Sequence, residues 1–253
     1  EVDAICQVVR CFDNSDIIHV NGKIDPIFDI ETINLELVYA DLDVIEKRIP
    51  KIEKKALMKV DKESVSEYEM LKKAKASLEQ GISLRDVAFT KDEQAAMKNY
   101  NFLTIKPMIY VMNVSEDEIN EDNEYEKKVK EYALKTNTKT VKISAKIEEE
   151  LCELDEEEKE IFLADFGIKE TGLDKLVKEA YDILGLATYF TAGEKECKAW
   201  TFKKGMKAPE CAGIIHSDFE KGFIRAEVIA YDDFETYGTM QKAKEAGKMR
   251  SEG

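Results

Sequence analysis

Several features common in proteins are scarce or missing in this sequence of 253 residues. No apolar run approaches the roughly 20 residues that a membrane-spanning helix needs, which argues against a membrane partner. The two histidines, His19 and His216, are too few for a His-rich metal site. The five cysteines form no CxxC pair, which favours reduced thiols over a disulfide framework or a zinc site. We therefore expect a cytoplasmic protein with no metal site among these residues.

A phosphate-binding loop is also missing. None of the twelve glycines begins the pattern GxxxxGK followed by Ser or Thr. That loop surrounds phosphates with backbone N–H groups, and its hydroxyl binds Mg²⁺. No catalytic residue can be named in this sequence.

Acidic residues dominate, with 53 Asp and Glu against 38 Lys and Arg and a net charge of −15. The excess is uneven: residues 116–160 hold seventeen acids and eight bases, and residues 187–253 hold eleven of each. Residues 46–75 reverse the sign, with ten bases and six acids. A basic segment on an acidic protein is able to bind a phosphate backbone, and the alternative is a solvated helix face.

Apolar runs predict a parallel α/β sheet. Ala4–Phe12, Met108–Met112 and Val141–Ser144 are typical of buried strands, and Asn123–Lys135 is typical of a polar helix between the last two. A strand, a helix and a strand at this spacing indicate a βαβ unit.

A helical hairpin is predicted to interrupt that sheet. Its first helix follows from apolar residues spaced three and four apart, namely Leu35, Val38, Leu42, Ile45, Ile49, Ile52 and Ala56. Pro50 lies inside this run and predicts a kink or a break. The second helix carries Tyr68, Leu71, Ala74 and Leu78 and ends near Gly81.

The last part of the chain has a different pattern. Short β-rich runs, Lys198–Phe202 and Phe223–Ile229, surround a helical stretch at Ala208–Phe219. This arrangement indicates a small α+β module.

The candidate ligand site follows two of the predicted strands. Asn113, Val114, Ser115 and Glu116 come directly after the second strand, and Ser144, Ala145 and Lys146 end the third. Open α/β sheets bind ligands at the carboxyl ends of their strands. P-loop GTPases hold guanine there with an Asn-Lys-x-Asp loop and a Ser-Ala-Lys loop. The sequence therefore predicts a nucleotide-base site, although an ordinary polar loop also produces Asn-x-x-Glu.

Two substitutions in this pattern weaken the guanine interpretation. Val114 replaces the Lys and Glu116 replaces the Asp whose carboxylate accepts two hydrogen bonds from guanine. Adenine has no 2-amino donor, and an unpaired buried polar group costs about 1–3 kcal/mol, so this exchange permits adenine. The DxxG-like run 182–185 follows these loops instead of preceding them, and we interpret it as the end of a helix.

The chain resembles the Obg-like ATPase family of the YchF type, a TRAFAC class of P-loop ATPases. The segments that carry the resemblance are Val8–Phe12, His19–Pro26, Asp29–Asn34, Thr188–Glu196, Ala199–Thr201 and Ile215–Glu227. The resemblance runs along the whole chain and is most specific in the last segment. The family's phosphate loop and switch segments would precede Glu1, and the closing strands of its last domain would follow Gly253.

The resemblance implies a fold. It is an α/β fold with a partial, Rossmann-like P-loop NTPase parallel sheet, an inserted antiparallel helical hairpin and a C-terminal TGS domain of the β-grasp type. The expected parts are a nucleotide-binding domain at 1–31 and 101–186, a helical coiled-coil arm at 32–100, and the TGS domain at 187–253.

The resemblance also implies an activity. The expected ligand is ATP in preference to GTP, with Asn113, Val114, Glu116 and Ser144–Ala145 at the base. The Mg²⁺ ligands would lie in the family's N-terminal part, outside this sequence. We expect the full-length protein to be an ATP-hydrolysing switch that acts on the ribosome or RNA, and this chain alone to be inactive.

Two alternatives remain open. In one, the protein is a ribosome- or RNA-binding factor in which nucleotide only modulates docking, and in the weaker one it is a GTPase. The candidate RNA contacts are Lys51, Lys54 and Lys55 on the arm and Lys203, Lys204 and Lys207 in a turn of the last module. We expect no DNA sequence specificity. The competing interpretation is that the arm lysines pair with Glu46, Glu53 and Glu63.

Overall fold

The computed structural model describes residues 2–14, 23–193 and 196–253. His19, the rest of 19–22 and residues 194–195, all quoted for the family resemblance, lie outside these ranges. The described chain forms two compact units, one ending at Ala180 and the other beginning at Tyr181. No helix in these ranges combines the length and the apolar character that a bilayer crossing requires.

The first unit contains a parallel sheet with the strand order β1–β2–β3. The strands are β1 (Ile5–Arg10), β2 (Met108–Asn113) and β3 (Lys139–Ile143). The central strand β2 is buried from Met108 to Met112, which explains its unbroken apolar run. Helix α4 (Glu124–Lys135) links β2 to β3, and the predicted βαβ unit is confirmed.

The arm, defined as residues 32–100, is built around a helical hairpin. Helix α1 (Pro26–Leu57) and helix α2 (Lys62–Glu79) run antiparallel, joined by a short turn. Bonds across the pair join Tyr68 to Glu53 at 2.9 Å and Lys75 to Glu46 at 2.9 Å. A 3₁₀ turn (Leu84–Asp86) and helix α3 (Lys91–Met97) complete the arm.

Of the kink or break expected at Pro50, the break does not occur. Helix α1 continues past Pro50 for seven more residues. Proline removes one backbone hydrogen bond and crowds the preceding turn. Here Ile45 and Ile52, on either side of it, are both buried in the core that α1 shares with α2. Packing on both sides holds the helix together across the local defect.

Helix α1 belongs to two hydrophobic cores. Ile30, near its start, packs with Val9 and Tyr110 of the sheet. Further along, α1 contributes to the arm core, where its neighbours from α2 include Leu71. A helix of 32 residues is about 48 Å long at ~1.5 Å per residue. The predicted domain limit at 31/32 therefore lies inside one continuous helix, and the domain limits remain a prediction.

A buried carboxylate fixes the end of the arm beside the sheet. Asp41 of α1 accepts hydrogen bonds from the backbone N–H groups of Leu103 and Thr104, both at 2.8 Å. It also accepts a bond from the Thr104 hydroxyl at 2.7 Å. These bonds tie the arm helix to the segment that returns the chain to β2.

A second polar cluster lies within the arm. Arg48 Nε donates to Glu67 at 2.8 Å and to the Tyr100 hydroxyl at 3.1 Å, and Tyr100 donates to Glu67. Burial, followed by the bond to Glu67, raises the pKa of Tyr100 to about 12. The cluster joins α1, α2 and the segment after α3.

The remaining elements follow the sheet. Helices α5 (Ala145–Cys152), α6 (Glu156–Asp165) and α7 (Gly172–Ile183) come after β3. Because α7 ends at Ile183 and Gly185 has φ 62°, the interpretation of 182–185 as a helix end is confirmed.

The second unit contains two antiparallel strand pairs. The first joins β4 (Leu186–Ala192) to β5 (Cys197–Lys203), and the second joins β6 (Ala226–Val228) to β7 (Arg250–Glu252). The helices of this unit are α8 (Ala208–Ile215), α9 (Ser217–Lys221), α10 (Tyr231–Tyr237) and α11 (Met240–Glu245). The helical stretch at 208–219 is confirmed as two helices, and the strand expected at 223–229 is shorter than predicted.

Candidate nucleotide-binding site and arm surface

The carboxyl ends of the three parallel strands meet at one edge. Asn113, the last residue of β2, lies opposite Arg10 of β1 and Ile143 of β3. Parallel strands all point their carboxyl ends the same way, so the loops that follow them are neighbours. We call this region, formed by residues 113–116 and 144–146, the sheet edge.

Asn113 ties the two predicted loops together. Its side-chain Oδ1 accepts the backbone N–H of Ala145 at 2.9 Å. The backbone also joins them, because the N–H of Val114 donates to the carbonyl of Ile143 at 2.9 Å. The sequence spacing predicted that these loops lie side by side, and the bond between Asn113 and Ala145 confirms that.

Glu116 and Lys146 form an ion pair across the same edge. Lys146 Nζ lies 2.8 Å from Glu116 Oε1, and this bond raises the pKa of Lys146. Lys146 is exposed and Glu116 is half-buried. The carboxylate at the position that would recognise guanine is therefore already held by a cation of the neighbouring loop.

Two of the predicted site residues lie beneath the surface. Val114 is 3% exposed and packs in the sheet core with Met112. Ser144 is 1% exposed, and its Oγ has no hydrogen-bond partner among the described residues. The structure thus leaves Asn113, Ser115, Glu116, Ala145 and Lys146 accessible to a ligand, whereas Val114 supports the loop from below.

A second polar network beside the sheet edge was not anticipated. Asn123 Nδ2 donates to the Cys11 carbonyl at 2.6 Å and to Glu118 at 3.0 Å, which fixes the backbone just after β1. Lys142 lies 3.1 Å from the fully buried Glu126. The sequence signal was available in part, because Asn three residues before Glu indicates a capping box at the start of α4.

The candidate arm contacts are exposed and unpaired. Lys51, Lys54 and Lys55 all lie on the surface of α1, and none forms an ion pair with another described residue. Among the described residues, these lysines do not pair with Glu46, Glu53 or Glu63; Glu46 binds Lys75 and Glu53 accepts from Tyr68. These lysines therefore present positive charge to solvent.

Comparison with known proteins gives one consistent result. The YchF-GTPase_C family model, described as a protein of unknown function, matches residues 186–253. "Ribosome-binding ATPase YchF" of Bacillus subtilis is 56% identical over all of this chain and 69% of the relative, and its Haemophilus influenzae counterpart is 51% identical with the same coverage. The solved "Structure of the Schizosaccharomyces pombe YchF GTPase" is 34% identical with a TM-score of 0.84, covering all of this chain and 68% of that one.

The chain belongs to the YchF family. The family resemblance expected from the sequence is confirmed, and so is the mixed α/β fold with a parallel sheet. The names of these relatives differ in one respect, since the bacterial proteins are called ATPases and the yeast structure is called a GTPase.

In the part matched by the YchF C-terminal model, three further lysines were predicted to contact RNA. Lys203 and Lys207 are exposed, and Lys204 lies 3.3 Å from Asp182. The backbone N–H of Lys207 donates to Glu210 at 2.6 Å at the start of α8. The turn is thus accessible but partly neutralised, and both its RNA contact and the TGS type of the domain stay predictions.

Because relatives in the YchF family are named ATPases or GTPases, a magnesium ion is expected to accompany the nucleotide. No group of three or more His, Cys, Asp or Glu side chains in the described ranges is arranged to hold a metal. The described residues therefore do not fit a magnesium site.

Proposed function

We propose that the protein is an ATP-binding and ATP-hydrolysing switch of the YchF family that acts on the ribosome in the cytoplasm. This chain supplies the base-binding edge, the arm and the C-terminal module. The observation that supports the nucleotide choice is that the polar groups of the sheet edge are already paired. The Ala145 N–H donates to Asn113, and Lys146 donates to Glu116.

The paired edge favours adenine over guanine. Guanine presents an oxygen at C6 that needs a donor, whereas adenine presents an amine there. The Ala145 N–H, which would be a donor for that oxygen, is occupied by Asn113 Oδ1. Lys146 occupies Oε1 of the Glu116 carboxylate, so guanine's N–H groups would compete with Lys146 for that oxygen. Guanine recognition therefore competes with two bonds that adenine leaves intact.

Asn113 would offer adenine and guanine the same contact. Its Oδ1 is taken by Ala145, and its Nδ2 has no hydrogen-bond partner in the described ranges. The ring nitrogen N7 is an acceptor in adenine and guanine alike. Asn113 is thus suited to hold any purine, and the discrimination rests on its neighbours.

Action on the ribosome is supported by the relatives and by the arm. The bacterial relatives carry the name "Ribosome-binding ATPase". The arm presents Lys51, Lys54 and Lys55 without ion-pair partners in the described part of the chain. Ribosomal RNA is a dense array of phosphates, which such lysines attract.

Calorimetric titration of ATP and GTP tests the nucleotide assignment. The chain extended to the length of its YchF relatives should bind ATP at least as tightly as GTP. Residues 1–253 alone should bind both weakly, because most affinity in this class comes from N–H groups and a Lys around the phosphates. A clear preference for GTP would contradict the proposal and support the GTPase alternative.

A second candidate function follows from the same unpaired lysines. In that case the protein is a ribosome- or RNA-binding factor, and nucleotide only modulates how the arm docks. Turnover measured with and without ribosomes separates the two. Hydrolysis that ribosomes leave unchanged, together with binding that nucleotide alters, would favour the second function.

A further inference from the structure

The turn between α1 and α2 is closed by its own backbone. The N–H of Lys59 donates to the carbonyl of Ala56 at 3.0 Å, and the N–H of Val60 donates to that of Lys55 at 3.2 Å. These two bonds form a Schellman motif, a common end for helices. Asp61 then starts α2 by accepting the N–H of Ser64 at 2.6 Å. The side chains of 57–60 are therefore not needed to close the turn.

The residue in the left-handed position of this motif is unusual for the protein. The same pair of bonds ends α2, α4, α6 and α11, where the corresponding residues are Gly81, Asn137, Gly167 and Gly247. After α1 it is Lys59, with φ 51°. Glycine adopts this conformation with less steric strain than lysine. The turn thus keeps a charged side chain where a smaller residue would fit more easily.

Apolar side chains surround Lys59. Leu57, Met58 and Val60 are 67%, 66% and 64% exposed. A Schellman motif usually includes an apolar contact between its last residue and the third residue from the helix end. Here these positions are Val60 and Lys55, and Val60 remains 64% exposed. We call residues 54–60 the arm tip: three exposed apolar side chains among Lys54, Lys55 and Lys59.

We propose that the arm tip binds RNA at a site with unstacked bases, with the lysines on phosphates and the apolar side chains against base faces. This inference rests on the proposed function, because it specifies what the arm recognises on the ribosome. The relevant geometry is the juxtaposition of unpaired lysines with an apolar patch at the end of a long hairpin.

Charge selects the class of partner. Lys54, Lys55 and Lys59 form no ion pair with another described residue, although Lys55 interacts electrostatically with Asp61, just after the tip. The tip is therefore a positive surface on a protein of net charge −15. A phosphate backbone complements that surface, and its affinity for lysines falls steeply with salt.

The apolar residues select the form of the RNA. A regular A-form duplex buries its base faces in stacking, and its deep major groove does not admit side chains. Bulges, loops and strand ends expose base faces that apolar groups are able to cover. A tip that combines lysines with Leu57, Met58 and Val60 therefore matches RNA with unpaired bases better than a perfect duplex.

Fluorescence anisotropy with two RNA probes tests the inference on the 253-residue chain. One probe is a perfect duplex, and the other is the same duplex with a three-nucleotide bulge. The chain should bind the bulged probe at least about fivefold more tightly. The triple variant Leu57→Ser, Met58→Ser, Val60→Ser should lose this preference and keep its affinity for the duplex and its salt dependence.

Two further variants complete the design. Lys54→Gln, Lys55→Gln, Lys59→Gln should weaken binding to both probes and reduce the slope of log K against log salt by about 2–3. The matched control replaces three exposed apolar residues elsewhere, Leu134→Ser, Ile161→Ser and Leu173→Ser, and should bind like the parent.

The outcomes are distinguishable. Equal binding of the two probes by the parent chain overturns the inference and leaves the proposed function standing. If the serine variant binds both probes with the parent's affinities, the inference is also overturned. It is overturned as well if the serine variant no longer binds intact ribosomes but binds both RNA probes as the parent does, since the tip would then contact ribosomal protein. If the lysine variant binds both probes as tightly as the parent does, the arm's phosphate contact is removed from the proposed function as well.

Discussion

The sheet edge and the arm tip differ in whether their lysines form ion pairs. Beside the sheet edge, Lys146 pairs with Glu116 at 2.8 Å, and Lys142 pairs with Glu126 at 3.1 Å. At the arm tip, Lys55 and its neighbours have no such partner in the described ranges. The net charge of −15 does not show which lysines are paired and which are not. Paired charges hold neighbouring loops together, whereas unpaired charges remain available to a partner.

Side chains are buried in the body of the arm and exposed at its tip. Substitutions that probe this difference should give the largest change in the free energy of unfolding. Leu71 is fully buried in the arm core, and Leu57 is exposed at the tip. We expect Leu71→Ala to lower the free energy of unfolding by about 3 kcal/mol, since it removes packed atoms and leaves a cavity. Leu57→Ala should change it by less than about 0.5 kcal/mol. Urea unfolding followed by circular dichroism measures both, and equal losses would contradict the distinction.

The Tyr100 cluster predicts a pH dependence of the arm. The pKa of Tyr100 is raised in the folded state to about 12, mainly by burial. Its contribution is therefore complete below the unfolded pKa of about 10 and is lost as the pH rises towards 12. We expect Tyr100→Phe to be less stable than the parent by about 1 kcal/mol at pH 8, and this difference to narrow between pH 10 and 12.

Tyr39 supplies the control for that measurement, because it is exposed on the same arm. The unfolding free energy of Tyr39→Phe should stay close to that of the parent from pH 8 to pH 12. A Tyr100→Phe difference that stayed constant over the same range would show that ionisation of Tyr100 does not affect the arm.

Releasing Glu116 should weaken nucleotide discrimination. Lys146→Ala removes the cation that holds the carboxylate. Glu116 is then free to accept guanine's N–H groups, so the ratio of ATP to GTP affinity should fall about threefold to tenfold in the full-length protein. Lys135→Ala, an exposed lysine at the end of α4, is the matched control. Competition binding measures the ratio, and no change would mean that the ion pair does not affect base choice.

Strain at Lys59 gives the smallest expected effect. Lys59→Gly should leave the free energy of unfolding unchanged or raise it by up to about 1 kcal/mol, because glycine tolerates φ 51° better. It should also weaken ribosome binding about twofold by removing one phosphate contact. Asn137→Gly, at the same position after α4, should affect stability alone. A clear loss of stability in Lys59→Gly would show that the lysine holds the turn.

Much of the fold follows from local sequence patterns. The unbroken apolar run in β2 predicted a buried strand, and the spacing of Val38, Ile45 and Ile52 predicted the arm helix. Each pattern is typical of one kind of secondary structure. Pro50 did not break the helix, because packing on both sides of a proline is a tertiary effect that the local sequence does not show. Asp41 was also overlooked, although it stands at a seam position between Val38 and Ile45 and is buried. Its partners lie about 60 residues away and have no local signal.

The candidate site was only partly predictable. Sequence spacing placed Asn113 beside Ala145, because parallel strands bring their carboxyl ends together. It did not show that Val114 points into the core, since the direction of a loop side chain depends on the packing beneath it. The pairing of Glu116 with Lys146 also needed coordinates, because it depends on side-chain reach across two loops.

Cosedimentation with ribosomes at two salt concentrations tests the central claim most directly. The variant Lys51→Glu, Lys54→Glu, Lys55→Glu reverses the arm's unpaired charge, and Lys127→Glu, Lys128→Glu, Lys135→Glu on α4 is its control. We expect the arm variant to lose most of its binding at low salt, and the parent and control to bind at low salt and release at high salt. Unchanged binding of the arm variant at low salt would contradict the account and leave the arm as a scaffold only.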